Sequence, residues 1–257
     1  MRIVIKIGTS TLAHSGGHLN IRRVEELCKV ISDIKNAGNQ VIVVSSGAIG
    51  MGAGKLGLRE RPKDIPTKQA AAAVGQCELM YIYDKLFGQY NHIVAQLLIT
   101  GEDVENDVRH TNFSNTLTRL MELGVIPIIN ENDTVATKEI VIGDNDTLAA
   151  IVAQSVKADK LVLLSDIDGL YTADPHINPN ATLIPVIHKI DDEILALAGV
   201  SNSNLGTGGM VTKLEAARIC LSCGCDMLIT NGDDPNNLYA IMDGKSIGTT
   251  FTEKQYE

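Results

Sequence analysis

The chain has 257 residues, 44% of them hydrophobic, and a formal charge of −9 at pH 7, with an isoelectric point near 5.1. That length and apolar content suffice for a large core, whereas the acidic balance and the lack of any run of Lys and Arg exclude a nucleic-acid stripe as the main surface. Any anion the protein handles must therefore meet positive charge concentrated locally, at a few lysines and backbone N–H groups in a cleft.

The N-terminus runs directly into a strand pattern without the basic, apolar and small-residue succession of an export signal. Apolar runs such as 41–44 and 161–164 fall far short of the roughly 18 residues of a membrane span. The odd number of cysteines, Cys28, Cys77, Cys220, Cys223 and Cys225, makes no disulfide framework. These features predict a soluble, cytoplasmic protein with neither membrane nor nucleic acid as partner.

In chain order, β-branched and leucine-rich runs predict strands over 2–7, 40–45, 93–99, 125–129, 160–165 and 227–230, with helical patterns between most of them. This alternation predicts an α/β fold around a mostly parallel sheet. Asn20 is placed to cap a helix reaching about Ala37, with Ile21, Val24, Leu27, Cys28 and Ile31 on one face and Gly38 as its stop. After the second strand come a glycine turn and a helix, and Gly50, Gly52, Gly54 and Gly57 suggest a mobile, substrate-covering loop. A long helix over about 66–87, with small residues at 70–73, reads as scaffold. The stretch 133–146, with Val135, Thr137, Ile140 and Ile142, predicts a short projecting hairpin. No repeat or linker divides the chain, so one domain over 1–257 is expected, with lobes of about 1–155 and 156–257.

Six segments carry possible chemistry. Lys6-Ile7-Gly8-Thr9-Ser10 sets a lysine beside a tight turn of exposed amides, which suits a transferring phosphoryl group, though a solvated strand-end lysine fits equally. Val43-Val44-Ser45-Ser46-Gly47-Ala48 places Ser46 at a carboxyl strand edge, where open α/β sheets bind ligands; a plain capping serine fits too. Asn130-Glu131-Asn132-Asp133 and Gly143-Asp144-Asn145-Asp146 bracket the hairpin, and their carboxylates and amides suit the ammonium and carboxylate of an amino acid as well as ordinary turn and cap chemistry. A calcium loop is excluded, because Leu148 stands where an oxygen ligand is needed. The strand end at Ser165, Asp166 and onward to Pro175 can lie along a nucleotide. Gly206-Thr207-Gly208-Gly209-Met210-Val211-Thr212-Lys213 offers amides and a helix N-terminus to phosphates, without the spacing of a Walker loop. The histidines, His14, His18, His92, His110, His176 and His188, read as surface or packing residues, and Cys220, Cys223 and Cys225 as core rather than zinc ligands.

Together these six segments resemble the amino-acid kinase superfamily over essentially the whole chain, and within it the branch that phosphorylates the side-chain carboxylate of glutamate. The resemblance implies a three-layer α/β/α sandwich and ATP-dependent phosphorylation of L-glutamate, the opening step of proline synthesis. It implies that Ser46, Asp133 and Asn145 bind glutamate, and that Lys6 and Lys213 neutralise the transferring phosphoryl while Asp146 orients them. By the same resemblance Lys6, Ser165, Asp166, Thr207, Gly208, Gly209, Met210, Val211, Thr212 and Lys213 bind ATP, with Mg2+ arriving on the nucleotide and no metal held by the protein itself. Feedback inhibition by proline, a homo-oligomer (dimer or tetramer) and a downstream glutamyl phosphate reductase are further family expectations. Many members carry a C-terminal RNA-binding-like (PUA) module, and with Glu257 following the kinase region a short form lacking it is expected.

Overall fold

The computed structural model describes residues 1–14, 18–135, 145–175, 177–199 and 209–254. The elements follow in the order β1 (Arg2–Ile7), α1 (Thr9–Leu12), α2 (Ile21–Asn36), β2 (Gln40–Ser45), α3 (Ala48–Lys55), α4 (Ile65–Gly88), β3 (Val94–Ile99), α5 (Gly101–Glu105), α6 (Asp107–Glu122), β4 (Ile126–Glu131) and α7 (Asn145–Ser155). The second half adds β5 (Lys160–Ser165), β6 (Val186–Ile187), α8 (Asp192–Ala198), α9 (Met210–Ser222), β7 (Asp226–Asn231), α10 (Asn237–Met242) and β8 (Thr249–Phe251).

The strands join one eight-stranded sheet in the order β3-β4-β2-β1-β5-β7-β8-β6. Every pairing is parallel except β7 with β8. Successive strand residues face opposite sides, and β1 shows both sides covered. Ile3, Ile5 and Ile7 enter a core with Leu27 and Ile31 of α2 and Leu79 of α4, while Val4 enters another with Leu148 of α7 and Leu214 of α9. Two cores on one sheet make the expected three-layer α/β/α sandwich, and burial on both faces explains why the strands read as unbroken apolar runs. The expected helix after Asn20 is α2, and the Asn20 side chain accepts from the Arg23 amide at its first turn. The expected helix over 66–87 is α4, capped by Asp64 accepting from the Thr67 amide.

The glycines after β2 correct the sequence reading. Gly50, Gly52 and Gly54 lie within α3, not in a mobile loop. Gly52 occurs there because α3 and α4 cross at near backbone contact: a Cβ on Gly52 would collide with the Ala71 carbonyl, and one on Gly75 of α4 with the Ala48 carbonyl. Glycine here permits close approach rather than movement. Gly52→Ala is accordingly expected to destabilise the fold by about 2 kcal/mol or more, the ordinary cost of overpacking. A urea denaturation midpoint equal to wild type would show that the helices separate at no cost. The predicted hairpin lies, over 136–144, outside the described residues. Cys220 and Cys225 are core residues as read, whereas Cys223 is exposed.

Candidate active site

Parallel pairing puts the C-terminal ends of β2, β1 and β5 on one edge, since Ile7 is in register with both Ser45 and Leu164. The Ser46 amide donates to the Ile7 carbonyl at 3.0 Å and the Gly8 amide to the Leu164 carbonyl at 3.2 Å. Gly47 then turns the chain into α3 at φ 101°, a left-handed value that glycine alone adopts without strain. The turn leaves Ser46 at the edge, beside the end of β1. This is where the ligands of open parallel sheets bind.

Lys6, near the end of β1, is almost wholly buried, and its Nζ lies 2.6 Å from Asp146 Oδ1. Lys213, in the first turns of α9, sets its own Nζ 3.0 Å from Asp146 Oδ2. Asp146 is 0% exposed in the first turn of α7. Burial acts to raise its pKa, but the two ammonium groups outweigh that, so the carboxyl is held below the ordinary carboxylate range. One buried carboxylate thus holds two cations drawn from opposite halves of the chain.

Beside this triad lies an amide network. Asn145 Nδ2 donates to Ser46 Oγ at 2.8 Å, to Asn130 Oδ1 at 3.0 Å and more weakly to the Ser45 carbonyl at 3.3 Å. Asn130 Nδ2 in turn donates to Gln76 Oε1 of α4 at 2.9 Å. Beneath it the Ser45 hydroxyl and the buried Tyr83 hydroxyl are 2.8 Å apart. Asp133 follows β4, and burial raises its carboxyl pKa; a cationic ligand group would reverse that shift.

On the other side of β1, Ser165 Oγ donates to Asp166 Oδ1 at 3.1 Å. The loop that follows is braced by Asp168, which accepts from Asn231 Nδ2 and from the Tyr171 hydroxyl, both at 2.9 Å. Gly209 caps α9 with extended backbone and no side-chain cap bond; the first amides of a helix are where an anion is favoured. Met210 is packed in the core, leaving only its backbone for that purpose, and the Thr212 hydroxyl donates to the Gly209 carbonyl. Val211 is exposed, and Thr207 and Gly208 lie outside the described residues.

The structure thus brings together Lys6, Ser46, Asn145, Asp146 and Lys213, which come from four separate stretches of the sequence. Gln76, Asn130 and Tyr83 were not foreseen as members of the site. Asn130 stood within a motif already singled out, but nothing in the helical pattern around Gln76 and Tyr83 distinguishes them from scaffold.

An eight-stranded α/β/α sheet with two lysines converging on one carboxylate at its carboxyl edge belongs to a class of phosphoryl-transfer proteins, and the model of the amino acid kinase family matches residues 1–231. Solved structures of low identity share the fold: UMP kinase from Bacillus anthracis superposes with a TM-score of 0.67 at 16% identity, covering 99% of this chain and 96% of that one. The isopentenyl phosphate kinase of T. acidophilum gives 0.66 at 22%, covering 98% and 100%. Much closer in sequence is the glutamate 5-kinase of Clostridium perfringens, 51% identical over 260 residues that span all of this chain and 97% of the relative. That of Caldanaerobacter subterraneus is 53% identical over 98% of this chain and 68% of its own length. The chain belongs to the amino acid kinase family, in its glutamate 5-kinase branch.

Proposed function

We propose that the protein transfers the γ-phosphoryl group of ATP to the γ-carboxylate of L-glutamate, giving L-glutamyl 5-phosphate and ADP, the first step of proline biosynthesis. The observation that carries this reading is the Lys6–Asp146–Lys213 triad, and the full-length similarity to glutamate 5-kinases supports the choice of acceptor. The γ-carboxylate is ionised at neutral pH, so it attacks the γ-phosphorus in line without a general base. A new O–P bond forms as the bond to the β-phosphate oxygen breaks, and the electron pair leaves with ADP. The reaction needs positioning and charge neutralisation, because its transition state spreads negative charge over the phosphoryl oxygens. Lys6 and Lys213 supply the positive charge, and Asp146 keeps both ammonium groups aimed at one point.

Ser46, Asn145 and Asp133 hold glutamate, with Asp133 paired to the ammonium group. Ser165, Asp166 and the segment 207–213 hold ATP. The acceptor thus lies on the half spanning 1–155 and the donor on that spanning 156–257. Asp146 is engaged by two cations, and among the described residues no group of three or more His, Cys, Asp or Glu is placed to hold a metal. Mg2+ would be carried by the phosphates of the nucleotide, where it would neutralise charge. Among the described residues no helix is long and apolar enough to cross a membrane, and a cytoplasmic setting suits ATP and glutamate. Proline as feedback inhibitor, a homodimer or tetramer, and a glutamyl phosphate reductase to consume the labile acyl phosphate complete the proposal.

The direct test is trapping of acyl phosphate with hydroxylamine in the presence of ATP and Mg2+. Hydroxamate is expected from glutamate and not from aspartate or N-acetylglutamate. Product from another acid would move the substrate, and none from any acid would overturn the kinase reading.

A further inference from the structure

Gln76 lies in the interior of α4, 8% exposed, just after a run of four alanines and a valine. A carboxamide buried in such surroundings needs partners. Its backbone is fixed by its neighbour Gly75, which touches α3 so closely that a Cβ there would collide with the Ala48 carbonyl. Gln76 Oε1 therefore presents an acceptor at a set place, and Asn130 Nδ2 donates to it at 2.9 Å.

A primary amide carries its donor on one side and its acceptor on the other, so fixing one end fixes both. The Glu131 backbone N–H, which can only donate, points to Asn130 Oδ1 at 2.9 Å. Gln76 holds the opposite end. The same Asn130 oxygen accepts from Asn145 Nδ2 at 3.0 Å, and that nitrogen also donates to Ser46 Oγ at 2.8 Å. Donation thus runs from Asn145 to Ser46 on one side, and from Asn145 through Asn130 to Gln76 on the other.

Two consequences follow for a ligand at the sheet edge. Ser46 accepts from Asn145, so its own O–H can donate to an anion. Asn145 uses its nitrogen inward, so its oxygen is turned away from the network and can accept from an ammonium group. An α-amino acid brings both partners. Reversing Asn130 would set its NH2 against that of Asn145 and its oxygen against Oε1 of Gln76.

We infer that Gln76 is a positioning residue for the amino-acid substrate: without touching it, Gln76 accepts from Asn130 and so holds the amide chain in the direction that the Glu131 N–H sets, and hence which groups Asn145 and Ser46 offer to the ligand. This rests on the reading of the site as a glutamate site, and the wild-type protein tests that reading first, since absence of glutamate-dependent turnover there would overturn the reading rather than the role of Gln76. Given wild-type turnover, Gln76→Met removes the acceptor at nearly constant volume and leaves a buried donor unpaired. It is expected to raise KM for glutamate about tenfold while KM for ATP is unchanged. Gln76→Glu, which restores an acceptor oxygen, is expected to recover KM for glutamate to within about threefold of wild type. Because Gln76 acts through Asn130, the pair Gln76→Met with Asn130→Ala should be no worse than Asn130→Ala alone. Where Gln76→Met does not fold, Gln76→Ala removes the same acceptor without added bulk and gives the same comparison. An unchanged KM for glutamate, an equal rise in both KM values, or additivity with Asn130→Ala would overturn the proposal.

Discussion

Replacement of Lys213 by alanine is expected to lower turnover about a hundredfold or more while the protein remains folded, as loss of one preorganised charge does. Its ammonium group is one of two on Asp146, at 3.0 Å. Without it, one of the two ammonium groups disappears from the place where the phosphoryl oxygens gather charge. The fold should survive, because Asp146 keeps Lys6 at 2.6 Å. Steady-state rates with glutamate, alongside circular dichroism, decide it. Turnover equal to wild type would remove Lys213 from the chemistry, and an unfolded variant would assign the lysine a structural role.

The second large effect is expected at Asp146, and on stability as well as rate. Asp146→Asn keeps the shape but leaves two buried ammonium groups facing each other, and removing one partner of a buried ion pair costs roughly 3–5 kcal/mol. The pH dependence gives this prediction a sign. The folded carboxyl is held below its ordinary range by Lys6 and Lys213 against the opposing effect of burial. Its stabilisation is therefore fully present above the unfolded carboxylate value of about 4 and is lost as pH falls through the lower folded value. Denaturation curves of wild type and Asp146→Asn should lie far apart at pH 7 and converge in strong acid. A gap that stayed constant to the lowest pH would mean that the carboxylate charge contributes nothing.

What the sequence made legible tracks the strength of its periodic signals. Strands β1, β2 and β5 match the predicted bounds residue for residue, because each is a mostly apolar run opened by a polar residue, Arg2, Gln40 or Lys160, and stopped by Gly8, Ser45 or Ser165. β4 runs on to Glu131, past its apolar run, since backbone pairing with β3 continues through Asn130 and Glu131. β6 and β8, two and three residues long, offer no period to detect. Asn20 announces a helix start through its own side chain, whereas the glycines of α3 misled. Glycine serves flexible loops and tight crossings alike, and only the presence of α4 at Ala71 and Gly75 tells which. Within the site, lysines and strand-end serines were visible because charge and turn chemistry mark them. Gln76 was not, because its partner Asn130 lies 54 positions away.

The placement of β1 between β2 and β5 makes the sheet a ruler. The proposed acceptor group Ser46 follows β2 and the proposed donor group Ser165 ends β5, so their main chains stand about two strand spacings apart, on the order of 10 Å. That interval is measured out by rungs of main-chain hydrogen bonds rather than by the meeting of separate bodies. Substitutions in the outer helices can therefore alter how strongly the protein holds together without altering how far a phosphoryl group must travel.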